Sequence, residues 1–441
     1  MKTRIHTLWL TTMCLAVMAF GDAAEAQTIT LSVEPDKPVL SAESSQPVYL
    51  RIGLTGCPLE KLRERPPVNV ALVIDKSGSM SGQRIHHARE AAILALRRLN
   101  EKDIVSVVVF DSGVRTLVPA TKMTRRDEII RLIRQIEAGG TTALYAGVQA
   151  GAHEVEKFQS PGRVNRVVLL SDGHANVGPQ SPTALGQLGA QLAAKGLSIT
   201  TIGLGLGYNE DLMSLLAFKS DGGHYFAESP NELASVFERE FDRALSVVAQ
   251  DVRIEIICGE NFRPVRILGR EGEIQGRTIL VDVGSVYSEH EKYVLVEMKP
   301  TVKNAIERGE LANVRLRYQD MNSKKTVSLE GIAADVRFSA SPAEVEKHLN
   351  KRIAADVVEQ IAIEQNERAT ALRDQGHVEQ ARQVLLENSV FLRSNAARLN
   401  SKPLEQYSEE NAQAADQLNE ADWTRQRKVM RESQNARRTQ Q

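Results

Sequence analysis

Four runs of aliphatic and β-branched residues, Val68 to Ile74, Ile104 to Phe110, Val164 to Leu170 and Leu197 to Leu204, show no alternation of polar and apolar positions. A strand with one face in water alternates; an uninterrupted run is buried on both faces, as in the inner strands of a mainly parallel sheet. Helical stripes lie between the runs. Ile85, Ala88, Ala92, Leu96 and Leu99 share one face, and Ile129, Ile130, Ile133 and Ile136 another, the second following Thr124 and Asp127 in capping-box spacing. Further helices fit 144–157, 184–195, 210–219 and 230–249, and short strands fit 114–118 and 224–226. The alternation predicts an α/β domain, a doubly wound, mainly parallel Rossmann-like sheet covered by helices on both sides.

The flanks follow a different period. Ile29, Leu31 and Val33 alternate with polar residues, as do Val48, Leu50, Ile52 and Leu54, and alternation returns after Asp251 at Val252, Ile254, Ile256 and Cys258, then at Val314, Leu316 and Tyr318. These are strands with one buried face. Because they stand on both sides of the α/β segment, the economical arrangement is one β-sandwich with the α/β domain inserted into it. From Pro342 onward the chain is rich in Ala, Glu, Gln and Arg, with stripes at Val345, Leu349 and Ile353 and at Val357 and Ile361. Gly376 divides this region into a helical hairpin, a third helix follows Pro403, and the basic end (Arg425, Arg427, Lys428, Arg431, Arg437, Arg438) reads as a solvated or frayed tail. The organisation expected is a signal peptide at 1–26, N-terminal sandwich strands at 27–66, the α/β domain at 67–249, a β-rich domain at 250–340 and a helical C-terminal region at 341–441.

Lys2 and Arg4, an apolar stretch from Leu8 to Phe20 and the small-residue end Ala24-Glu25-Ala26 have the three-part layout of a secretory signal. The stretch falls short of the ~20 apolar residues of a permanent span, so the expectation is an exported protein, periplasmic or secreted, with no membrane span after cleavage; a segment kept as an N-terminal anchor is the alternative. With 55 basic and 56 acidic side chains, no global field selects nucleic acid. Cys57 and Cys258 remain after the signal, and a disulfide or two buried thiols both fit.

The chemistry gathers where the first buried run ends, at Asp75-Lys76-Ser77-Gly78-Ser79. Open α/β sheets bind ligands at this carboxyl edge. The spacing sets one carboxylate and two hydroxyls on a tight loop, and such oxygen donors suit a hard cation. Gly139-Gly140-Thr141-Thr142 lies between two helices, and Ser171-Asp172-Gly173 closes the third run. Each alone reads as a turn; together they converge on one sheet edge. Two carboxylates would leave a divalent site neutral with coordination positions open.

On these residues the segment at about 68–248 resembles the von Willebrand factor A domain, whose metal-ion-dependent adhesion site uses D-x-S-x-S, a threonine in a glycine-led loop and an aspartate followed by glycine. The resemblance implies Asp75, Ser77, Ser79, Thr141 and Asp172 as metal ligands, with Thr141 chosen over Thr142 because it directly follows the glycine pair. It further implies a divalent cation, Mg²⁺ first with Mn²⁺ or Ca²⁺ as alternatives, and a protein ligand that supplies an acidic side chain to the metal. Glu101-Lys102-Asp103 before a strand ending in Phe110-Asp111 is similar to bacterial secreted A-domain proteins and to inter-alpha-trypsin inhibitor heavy chains. Family structures imply that the helix at 230–249 shifts with site occupancy.

Enzyme motifs do not fit. A haloacid-dehalogenase-type phosphatase needs a second Asp where Ser77 stands, and G-x-S-x-G is broken because Met80 is central in Gly78-Ser79-Met80-Ser81-Gly82. Gly203-Leu204-Gly205-Leu206-Gly207 is not a dinucleotide fingerprint but a strand running into a turn. His174 and His224 each adjoin a loop at the sheet edge without a catalytic company. The function expected is non-enzymatic, metal-dependent protein binding; the alternative is an assembly factor whose C-terminal helices make the main interface while the metal stabilises the fold.

Overall fold

The computed structural model describes residues 28–42, 46–62, 64–301 and 308–440. The expected signal peptide lies outside them. Strands β1 (Ile29–Pro35), β2 (Val39–Ser41) and β3 (Val48–Gly56) precede the α/β segment. That segment runs β4 (Val68–Asp75), α1 (Gln83–Arg98), β5 (Ile104–Phe110), β6 (Val114–Lys122), α2 (Arg126–Arg134), α3 (Leu144–Glu156), β7 (Val164–Ser171), α4 (Pro182–Ala193), β8 (Ser198–Leu204), α5 (Glu210–Lys219), β9 (His224–Ala227) and α6 (Pro230–Leu245). Its sheet has the order β6-β5-β4-β7-β8-β9, and all pairs but β5–β6 are parallel.

Both faces of this sheet are covered, which is why its inner strands read as unbroken apolar runs. On one face Val70, Leu72 and Ile74 of β4 pack with Ile85, Ala92 and Leu96 of α1 and with Phe237 and Phe241 of α6. On the other, Ala71 and Val73 meet Leu144 and Val148 of α3, while Leu185 and Leu216 extend that core through α4 and α5. Successive residues of one strand thus face opposite layers. The chain leaves β4 toward β5 and later returns to pair β7 on its other side, so the ends of β4 and β7 flank the switch point of the sheet. The expected capping box before α2 does not form: Arg125 holds the N-cap position with no side-chain cap, and Thr124 bonds back to the Lys122 carbonyl.

Past α6 come β10 (Val247–Cys258), β11 (Phe262–Leu268), β12 (Glu273–Gln275), β13 (Thr278–Tyr287), β14 (Glu291–Pro300), β15 (Arg308–Asp320) and β16 (Thr326–Ser339). They join the N-terminal strands in two sheets, β1-β3-β14-β11 and β12-β13-β10-β15-β16-β2. Leu50, Ile52 and Leu54 of β3 lie opposite Ile254 and Ile256 of β10 in one apolar core. The α/β segment is therefore inserted into a sandwich whose strands come from both sides of it. Cys57 and Cys258 do not form a disulfide; Cys258 Sγ lies 4.0 Å from Met298 Sδ in the sandwich core.

The C-terminal region consists of α7 (Pro342–Lys347), α8 (Lys351–Asp374), α9 (Val378–Leu399), α10 (Lys402–Asp416) and α11 (Glu420–Thr439). Gly376, with φ of 85°, makes the turn from α8 to α9. Arg51 ties the sandwich to α8 by bonding Asp356 at 2.7 Å. The basic end departs from the expected solvated tail. It folds as α11, capped by Asn419, and lies back across α8, α5 and β9. Its cations are ion-paired: Arg427 with Glu210, Asp211 and Asp374, Arg431 with Asp211, Arg437 with Glu359 and Glu410, and Arg438 with Glu367. The acids that hold α11 are scattered from position 210 to 410, so no local pattern could reveal them. No helix of the described residues is long and apolar enough to cross a membrane.

Candidate metal centre

Asp75 is the last residue of β4 and is fully buried. Its Oδ1 accepts the Ser77 backbone N–H at 2.8 Å, which closes the loop into a turn, and its Oδ2 accepts the Ser171 hydroxyl at 2.5 Å. The loop is then zipped to the glycine pair, with Gly139 N–H donating to Lys76 O at 2.7 Å and Gly78 N–H to Gly140 O at 3.0 Å. Gly140 has φ of 84°, a conformation that favours glycine. Ser77 Oγ and Ser79 Oγ are 3.1 Å apart, and Ser79 Oγ donates to Asp172 Oδ1 at 2.7 Å. Four of the five residues expected from the sequence therefore converge.

Thr141 does not join them. It is exposed, and its hydroxyl donates to Ser112 Oγ at 2.9 Å. Thr142 turns inward and is buried, held by its N–H to Asn176 Oδ1 at 2.7 Å. The two adjacent threonines thus present their side chains to different neighbours. A Cβ built on Gly173 would lie 3.3 Å from Ser79 Oγ, 3.4 Å from Thr142 Oγ1 and 3.8 Å from Asp75 Oδ2, so these three oxygens gather on one side of Gly173.

The donors are all oxygens, two from buried carboxylates and the rest hydroxyls, the set preferred by hard divalent cations. Among the described residues no cluster of three or more His, Cys, Asp or Glu side chains offers a different metal cage. Burial raises the pKa of Asp75, opposed by bonds from Ser171 and Ser77 and reinforced by the charge of nearby Asp172. A cation between the carboxylates would relieve both effects, so the residues fit the group. The site opens to solvent at Ser79 and Gly140, with His174 and Leu206 exposed at its margin.

Three contributors escaped the sequence reading. Ser171 orients Asp75, Asn176 orients Thr142, and Arg84 Nη1 donates to Asp172 Oδ2 at 2.7 Å. Ser171 adjoins a candidate ligand and could have been flagged by that adjacency; the other two are brought in by the loop fold. His224 is buried beneath Tyr208, with Nδ1 2.9 Å from Thr201 Oγ1, and burial lowers its pKa to about 3. It is a structural, neutral imidazole.

Residues 69–239 match the family model described as von Willebrand factor type A domain. The segment is a von Willebrand factor type A domain. This chain is 26% identical over 274 residues to the uncharacterized protein sll0103 of Synechocystis sp., covering 59% of this chain and 64% of that one. It is 31% identical over 166 residues to inter-alpha-trypsin inhibitor heavy chain H3 of Rattus norvegicus, covering 35% of this chain and 18% of the heavy chain. These matches thus span less than two thirds of the relatives' own lengths. Among solved structures, a von Willebrand factor type A protein from Catenulispora acidiphila superposes with a TM-score of 0.72 at 15% identity over 89% of this chain and 90% of its own. The ArnB paralog VWA2 from Sulfolobus acidocaldarius superposes with a TM-score of 0.63 at 18% identity over 93% and 98% of the two chains. Both likenesses extend past the A domain, so the sandwich and helices share that fold as well.

Proposed function

We propose that this protein is an exported, non-enzymatic binding protein that captures a protein partner through a divalent cation, Mg²⁺ first, held by Asp75, Ser77, Ser79, Thr142 and Asp172. Thr142 replaces Thr141 in this reading. The observation that carries it is that oxygens of Ser79, Thr142 and Asp75 gather on one side of Gly173, with Ser79 Oγ also bonded to Asp172 Oδ1 at 2.7 Å. A bound cation would supply an electrophilic centre with positions left for an acidic side chain of the partner. Asp75 and Asp172 carry the balancing charge, Ser171 and Asn176 orient the ligands, and the exposed margin at Ser79, His174 and Leu206 leaves room for another molecule's surface. The rival reading, in which the C-terminal helices make the main interface, is disfavoured because the cations of α11 are engaged within the chain.

Thermal unfolding of the described chain with chelator, Mg²⁺, Mn²⁺ or Ca²⁺ tests the reading. Ligand at 100 times its dissociation constant stabilises by about 2.7 kcal/mol. A shift present in the parent and lost in both Asp75→Ala and Asp172→Ala is the expected result. No shift with any of the ions at millimolar concentration would defeat a site that loads without its partner.

A further inference from the structure

Asp172 is buried to the point that its side chain shows no exposed surface, yet the cation that answers its charge is a half-exposed arginine. Arg84 Nη1 reaches Asp172 Oδ2 at 2.7 Å and the Ser79 carbonyl at 3.1 Å, bridging two of the loops that bear proposed ligands. A third loop approaches the same guanidinium at Gly205, where a Cβ would lie 3.5 Å from Nη2. Arg84 stands in the first turn of α1, which has no acidic residue there and no side-chain cap on Gly82. A positive side chain at the positive pole of a helix is unfavourable by itself. Its placement is accounted for by Asp172, a buried carboxylate that would be costly to leave without a counter-charge.

Building on the metal-site reading above, we propose that Arg84 is a tethered competitor of the divalent cation: its guanidinium neutralises Asp172 until the ion takes over that carboxylate. The charge balance requires an exchange. Asp75 and Asp172 together neutralise one dication, and a guanidinium held on the same carboxylate would add a net positive charge beside the ion. Arg84 differs from Ser171 in being able to leave. Its side chain is 47% exposed, whereas Ser171 is buried in the sheet. Arg84 thereby sets the ion concentration at which the site loads, and keeps Asp172 oriented while it is unloaded.

Calorimetric titration of Mg²⁺ and Mn²⁺ into the full chain, in parent, Arg84→Gln and Arg84→Lys forms, tests this. A half-exposed ion pair lost to competition predicts up to roughly fivefold tighter ion binding in Arg84→Gln, with Arg84→Lys near the parent because it keeps the charge. Thermal unfolding in chelator verifies that each variant folds; Arg84→Gln is expected to melt lower there and to gain more on ion addition. Equal or weaker binding by Arg84→Gln overturns the competitor and makes Arg84 a positioning residue, while ion binding by the parent leaves the metal site standing. If neither parent nor Arg84→Gln takes up either ion, the competitor and the metal site fall together.

Discussion

Lys428 Nζ donates to Glu210 Oε2 at 2.6 Å across 218 positions of sequence, and both side chains are buried. The same ammonium donates to the Tyr208 carbonyl at 3.0 Å and lies 4.3 Å over its ring. Helix α11 thus clamps the loop between β8 and α5. Burial would raise the pKa of Glu210, but Lys428 and Arg427 outweigh it and hold the carboxyl below its ordinary range. Removing one member of a buried pair costs about 3–5 kcal/mol because the other is left uncompensated. Lys428→Met is expected at the lower end, since Arg427 still reaches Glu210. Denaturant unfolding of the full chain measures the loss; Lys428→Met with Glu210→Gln should recover much of it. An unchanged midpoint in the single variant would show that α11 is not clamped here.

The two neighbouring threonines separate by one measurement. Thr142→Ala is expected to lose most of the ion-induced rise in unfolding temperature, and Thr141→Ala to keep it, because only Thr142 Oγ1 faces the space beside Gly173 while Thr141 bonds Ser112. In chelator both should melt within a few degrees of the parent. The reverse pattern would restore Thr141 as the ligand.

Glu432 of α11 predicts a pH dependence. It lies in a cleft of about 640 Å³ between α6 and α11, lined also by Phe226, Glu228, Glu232, Arg239 and Arg425. Burial pushes its pKa from 4.5 to about 7; Arg239 and the Phe226 backbone oppose the rise and Glu232 adds to it. A carboxyl raised in the folded state stabilises fully below its unfolded pKa, and that contribution is lost as pH rises through about 7. Glu432→Gln should therefore match the parent near pH 5 and be the more stable at pH 8, by on the order of 1 kcal/mol after allowing for solvent access. Melting curves at the two pH values decide it, and equal curves at pH 8 would refute the assignment.

Arg166 and Glu240 form a fully buried ion pair that pins α6 to the centre of the sheet. Thr200 Oγ1 donates to Glu240 at 2.6 Å, and Arg166 Nη2 donates to the Tyr287 hydroxyl at 3.4 Å, carrying the network into the sandwich. Glu240→Gln leaves the guanidinium unbalanced and should cost roughly 3 kcal/mol or more. Hydrogen exchange in 230–245 should quicken more than in α1. If α6 shifts with site occupancy, as the family resemblance implies, this pair must rearrange, and exchange in α6 should change on ion or partner addition in the parent.

Local pattern was enough for the strands and helices of the A domain, because sheet strands covered on both faces leave unbroken apolar runs and helices leave stripes. It was also enough for the sandwich, since strands with one buried face alternate on either side of the insertion. That Asp75, Ser77, Ser79 and Asp172 lie together was legible because the strands that lead to them had to end at the same sheet edge. The direction of a side chain in an irregular loop has no such period, so Thr141 and Thr142 were indistinguishable until the bonds to Ser112 and Asn176 fixed them. The basic end was misread for a related reason: a cation-rich helix stays solvated unless acids meet it, and the acids that meet α11 come from α5, α8 and α10. Sequence determined which segments have a face to bury; the tertiary fold decided which charges and hydroxyls face one another, because those pairings join residues remote along the chain.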